Sequence, residues 1–145
     1  MDVEIRLDES VKTPKIIIVA DQMSSEVTEL VNLLAGPSAG SPGTRNGTVR
    51  LLEPDEILRI YTSGRQVMAA TGDGSYALRL RLYDAEERLR SRRFVRISNS
   101  EIVNLRHVRH FDVSRSGAFC VALDDGTTTF VSRRYIPAVR KLLDL

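Results

Sequence analysis

The chain has 145 residues, 42% of them hydrophobic and 28% charged, with a formal net charge of +2. That is enough apolar material for one domain with a small appendage. No run is long and apolar enough to cross a bilayer, since the best, Ile16 to Ala20, is far too short. The lone cysteine, Cys120, excludes an internal disulfide, and the acidic N-terminus lacks a signal-peptide pattern, so a cytoplasmic protein is expected.

The first elements belong to an appendage. "VEIRLD" (3–8) alternates apolar and polar and predicts a strand; "KIIIVA" (15–20) predicts a second, more buried one. Ser24 or Ser25 caps a helix running to about Leu34, with Val27, Leu30, Val31 and Leu34 on one face. "GPSAGSPGTRNG" (36–47) is a linker by composition. The reading is a β-β-α appendage with its linker over 1–45 and a second domain over 46–145.

Short strands follow: "TVRLL", "EPDEILRIYT" and "QVMAAT", with Gly64 placed for a hairpin, then a "DGS" turn and the alternating "YALRLRL". "LYDAEERL" (82–89) sets Leu82, Ala85, Glu86 and Leu89 on one helical face. After it come "FVRISNSEIVN" (94–104), "HVRHFDVSR", a Ser-Gly turn, "FCVAL", an Asp-Asp-Gly turn and "TTTFVS". "RRYIPAVRKLLDL" predicts a closing helix, with Pro137 in its first turn. The fold class is therefore mostly β with short helices.

Charge is unevenly spread. Residues 1–44 hold three basic against seven acidic side chains, a balance of −4, residues 45–86 are neutral, and residues 87–145 hold twelve against six, a balance of +6. Such a gradient suits a polyanion partner for the C-terminal part.

Enzyme chemistry finds no support in these residues. His107 and His110 are three apart in a strand-like run, which puts them on opposite faces, with no third ligand at metal spacing. Asp124 and Asp125 are explained by their turn. Ser98, Ser100 and Ser132 have no base and no glycine elbow. "GPSAGSPG" lacks the lysine and hydroxyl of a phosphate loop. No cofactor is expected. What remains are polar side chains at strand ends: Arg96, Ser98, Asn99 and Ser100 in "RISNS"; Ser132, Arg133 and Arg134 in "VSRRY"; Arg65 and Gln66 in "SGRQ". Guanidinium and amide groups pair with guanine and adenine edges, while neighbouring basic and hydroxyl groups hold phosphates. Against this, Asn99 and its serines can simply close a local turn on their own backbone.

"FVRISNSEIVNLRHVRHF" and "DDGTTTFVSRRYIPAVRKLL" together resemble the LytTR DNA-binding family, through Phe94, Arg96, Ser100, Val103, Asn104, Gly126, Val131, Ser132 and Arg133. The resemblance runs over roughly 47–145. It implies an elongated set of small β-sheets that puts loops into successive major grooves of double-stranded DNA, usually at paired direct repeats. Carried over, base contact falls on Asn99 and Arg133, with Arg65 or Gln66 in the first loop. Arg96, Ser98, Ser100, Ser132 and Arg134 take backbone or supporting roles. Ser98 stands where the family often has His. "RISNSEIVN" resembles a subgroup of short regulators without a receiver domain, and the first 45 residues are too few for one. The appendage is read as packing on the DNA-binding part or forming a dimer contact, so a homodimer is expected, and the resemblance further implies a possible regulatory membrane protein partner. The favoured class is a sequence-specific transcription regulator. The alternative is a non-enzymatic interaction module of the same fold with weak or no DNA binding. RNA binding and hydrolysis rank below both.

Overall fold

The computed structural model describes residues 1–35, 41–113 and 117–144. They divide into two units, Met1–Pro37 and Ser38–Leu145. In the first unit the expected helix forms as α1 (Ser25–Ala35), and Ser24 is its cap: the Ser24 hydroxyl accepts the Val27 N–H at 3.3 Å. The two expected strands do not form. Residues 3–8 and 15–20 join no ladder among the described residues. Alternation prepares a segment for a sheet, but a strand exists only when a neighbour takes its backbone bonds.

Among its described residues the second unit carries ten antiparallel strands in two sheets. The larger orders β2 (Thr48–Leu52), β1 (Ser41–Arg45), β5 (Gly74–Leu78), β4 (Gln66–Thr71), β3 (Ile57–Ser63), β7 (Glu101–Asn104) and β6 (Phe94–Ser98). The smaller orders β10 (Thr128–Val131), β9 (Phe119–Leu123) and β8 (Val108–Val113). Strand β1 corrects the linker reading of 36–47: its first five residues, 36–40, lie outside the described residues, but 41–45 pair with both β2 and β5. Gly43 makes this possible. A Cβ there would stand 2.7 Å from Leu52 Cδ1 and 2.8 Å from Tyr76 Cβ, so only glycine lets β1 lie this close to the core. The division between units accordingly falls before β1 rather than after residue 45. Most of the expected Ser-Gly turn lies outside the described residues.

Two cores sit on opposite faces of the larger sheet. On one, α2 (Leu82–Leu89) buries Leu82, Ala85 and Leu89 against Ile57, Ile60, Phe94 and Ile102. On the other, Leu58, Ile97 and Val103 meet Phe119, Val121, Leu123 and Val131 of the smaller sheet and Val139 of α3 (Ile136–Leu142). Adjacent strand residues point to opposite faces, so β7 sends Ile102 to the first core and Val103 to the second. A register shift between Ile57 and Arg59 turns Leu58 into the second core while Ile57 and Ile60 stay in the first. Asn104, wholly buried, pins the end of β7: its amide donates to the Ile57 carbonyl at 2.8 Å and accepts from the Arg106 N–H at 3.0 Å.

Candidate nucleic-acid interface

Three loops meet at one end of the second unit. The β3–β4 hairpin closes on the Ser63 and Gln66 pair, with Gly64 at φ 60°. Just before it, the Thr62 N–H donates to the Ser100 carbonyl at 3.0 Å, which sets this hairpin beside the β6–β7 turn. The third loop docks on the other side of that turn. The Ser132 N–H donates to the Ile97 carbonyl at 2.9 Å, and a single 3-10 turn, Arg133–Tyr135, follows. Antiparallel pairing sets the first neighbour, since β3 runs into its turn where β7 leaves its own, and the Ser132–Ile97 bond brings the end of β10 to the end of β6.

The turn at 98–100 is built without glycine by side chains. The Ser98 hydroxyl accepts the Ser100 N–H at 3.1 Å. Arg96 ties down two carbonyls, those of Ser98 at 2.5 Å and Asn99 at 2.8 Å, and pairs with Glu86 of α2 at 3.2 Å. Arg96 is thus spent on holding the loop, with its side chain mostly covered. Ser98 plays the local-turn role that the sequence also allowed for Asn99. The Asn99 side chain instead projects, exposed, and its Oδ1 accepts the Tyr135 hydroxyl at 2.9 Å. That bond crosses from the second loop to the third. With Oδ1 so engaged, the two Nδ2 hydrogens take no part in that bond.

Arg65, Gln66, Arg133 and Arg134 are exposed, and no ion pair or hydrogen bond among the described residues engages their side chains. The Arg134 guanidinium lies 5.7 Å from the Tyr135 ring centre. Arg65 and Gln66 share an open cleft of about 450 Å³ with Thr44 and Arg79, so Arg79 joins the cationic surface of the first loop. Ser132 is exposed, with its hydroxyl 3.4 Å from the Ile97 carbonyl. The sheet end therefore carries several uncommitted guanidiniums beside two amides, on a backbone held by Arg96 and Ser98.

The two sheets are locked just behind the loops. Glu101, buried at the start of β7, accepts from Arg59 at 2.6 Å and from the Thr129 hydroxyl of β10 at 2.5 Å. Arg59 stacks on Tyr61 at 4.1 Å. This pair fixes the spacing between the second loop and the strand feeding the third. Neither Glu101 nor Tyr135 stood out in the sequence. Both lie inside the motifs that did, but their partners are 28 and 36 positions away.

His107 and His110 sit apart from this end. His107 is in a 3-10 turn, with Nδ1 3.1 Å from Asp124 and Nε2 2.6 Å from the Asp55 carbonyl. A carbonyl only accepts, so Nε2 carries the hydrogen. Among the described residues no group of His, Cys, Asp and Glu is set to hold a metal ion.

Residues 47–144 match the model of the LytTr DNA-binding domain. The chain belongs to the LytTR family. Among solved structures, the LytTr DNA-binding domain of a Bacillus cereus protein superposes with a TM-score of 0.70 at 20% identity, covering 76% of this chain and all of that one, so the two share the fold. Among curated proteins, uncharacterized HTH-type transcriptional regulators of Staphylococcus aureus align over 130 residues, 88% of each chain. The identity is 27% for strain NCTC 8325 and 26% for strain MRSA252. Those names carry a helix-turn-helix label. In this chain no two described α-helices follow each other through a short turn, and the described part of the LytTR region is mostly strands.

Proposed function

We propose that this chain is a sequence-specific DNA-binding transcription regulator whose three loops read the major groove of double-stranded DNA. DNA binding is the property of the family to which it belongs. The observation that carries the finer reading is the gathering of Arg65, Gln66, Asn99 and Arg133 on adjacent loops, exposed, around a turn made rigid by Arg96 and Ser98. Arg133 and Arg65 suit the paired acceptors of guanine. Asn99, with Oδ1 already taking the Tyr135 hydroxyl, offers N–H groups first, and a base acceptor such as purine N7 answers them. Ser100, Ser132, Arg134 and Arg79 are placed to meet phosphates, which set register without reading sequence. Arg96 and Ser98 act from behind, through the loop they hold.

Paired direct repeats and a membrane protein partner, which rest on the family resemblance, and a homodimer and a cytoplasmic setting, which rest on the reading of the sequence, complete the proposal. The test is selection of bound sequences from random duplex DNA, followed by titration of the full chain on the selected and a scrambled duplex. Enrichment of one motif with tighter binding to it is the expected result. No enrichment, with equal weak binding to both duplexes, would favour an interaction module of the same fold.

A further inference from the structure

The N-terminal unit leaves a strand-patterned segment without a partner. Val3, Ile5 and Leu7 are 83%, 83% and 92% exposed, and no described backbone group pairs along residues 3–7. On the alternate positions stand Glu4 and Arg6, close enough on one side for Arg6 Nη2 to lie 3.4 Å from Glu4 Oε1. Three large apolar side chains in a row on one edge-competent segment form a template for another strand.

The order of these residues says which strand fits. A two-fold contact must be self-complementary, each residue meeting the one that meets it. Lay "VEIRL" antiparallel to itself with Ile5 on the axis. Val3 then faces Leu7 of the second copy, Ile5 faces Ile5, and Glu4 faces Arg6, twice over. Every apolar residue meets an apolar one and every charge meets its opposite. Moving the register by two residues either way puts Glu4 against Glu4 or Arg6 against Arg6. One pair further out, Asp2 would meet Asp8, which ends the favourable match at five residues.

We propose that residues 3–7 pair antiparallel with the same residues of a second copy of this chain, making the N-terminal unit a self-association element. The pairing brings two DNA-binding units together and raises the effective concentration of the second once the first is bound. It rests on the homodimer of the proposed function, for which it supplies the contact, and it is independent of the DNA-reading loops because it is measured without DNA.

The experiment is sedimentation equilibrium of the full chain over a concentration series, for the parent, Glu4→Arg, Arg6→Glu and the double exchange. Each single reversal turns two attractive pairs into two repulsive ones, and the dimer dissociation constant should rise about tenfold. The double exchange restores Arg opposite Glu and should return the constant to near the parent value. Ile5→Glu, which sets two carboxylates on the axis, should abolish the dimer while helical circular dichroism is kept. A parent that stays monomeric throughout, a dimer indifferent to the single reversals, or a double exchange no better than the singles would each overturn the proposal.

Discussion

Asn99 and Tyr135 define the finest scale at which this chain is specified. The Tyr135 hydroxyl donates to Asn99 Oδ1, which leaves Nδ2 as the donor end of the amide. Asn99→Asp keeps that acceptor and the turn, which Ser98 and Arg96 maintain, but loses both amide hydrogens and adds negative charge. The melting temperature should stay within a few degrees of the parent while specific binding falls. Titrations on selected and scrambled duplexes separate this from a general electrostatic loss, which would weaken both equally. Tyr135→Phe removes only the hydroxyl and should shift preference at the same base pair as Asn99. An unchanged preference would show that the bond has no part in recognition. Arg133→Ala should cost about 1–3 kcal/mol of specific binding and blur one position. Equal weakening on every duplex would mark it as a phosphate contact.

At the scale of elements, what matters is how strands are joined. Asn104 satisfies three backbone groups from inside the protein. Asn104→Ala leaves the buried Ile57 carbonyl without its partner and releases the other two groups, and should lower unfolding free energy by about 3 kcal/mol, read as a lower denaturant midpoint at unchanged slope. At the end of the β4–β5 hairpin away from the loops, Asp73 accepts from the Thr71 hydroxyl, from Tyr76 at 3.1 Å and, through longer contacts, from Arg45 and Arg50. The Thr71 hydroxyl leads in holding its carboxyl below the ordinary 3.8. Desolvation opposes it, and Tyr76 and the two guanidiniums assist. A carboxyl depressed by folding stabilises the protein above its ordinary value, and that stabilisation is lost as pH falls through the folded one. Asp73→Asn should therefore melt below the parent at neutral pH, with the gap closing as pH drops below 3.8. A gap constant with pH would mean that the hydrogen-bond geometry, rather than the charge, matters there.

For the molecule as a whole, charge separates along the chain: −4 in residues 1–44 and +6 in residues 87–145. A cationic surface that displaces counterions from DNA binds less tightly as salt rises, with a slope that counts phosphate contacts. The logarithm of affinity should fall linearly with the logarithm of salt concentration. Arg134→Ala should flatten that slope by about one contact without altering base preference. Full affinity at all salt concentrations would exclude groove binding of this kind.

The sequence by itself determined the local elements. Helical spacing placed α2 at residues 82–89, the serine pair Ser24 and Ser25 marked the start of α1, alternation and turn residues placed most strands, and two ordered motifs carried the family. These depend on neighbours within a few positions, where side-chain periodicity and backbone chemistry act directly. Only the tertiary structure decided the rest. "SPGTR" looks like linker until Leu52 and Tyr76 close over Gly43, and "VEIRLD" looks like strand although nothing in the described chain pairs with it. Arg96 has the composition of a DNA contact and is consumed by two carbonyls and Glu86, while Tyr135 and Glu101 gain their roles from partners dozens of residues away. Periodicity reports which face of a segment is apolar. Which group a polar side chain meets is fixed only when sheets and loops pack, because that partner comes from another part of the chain.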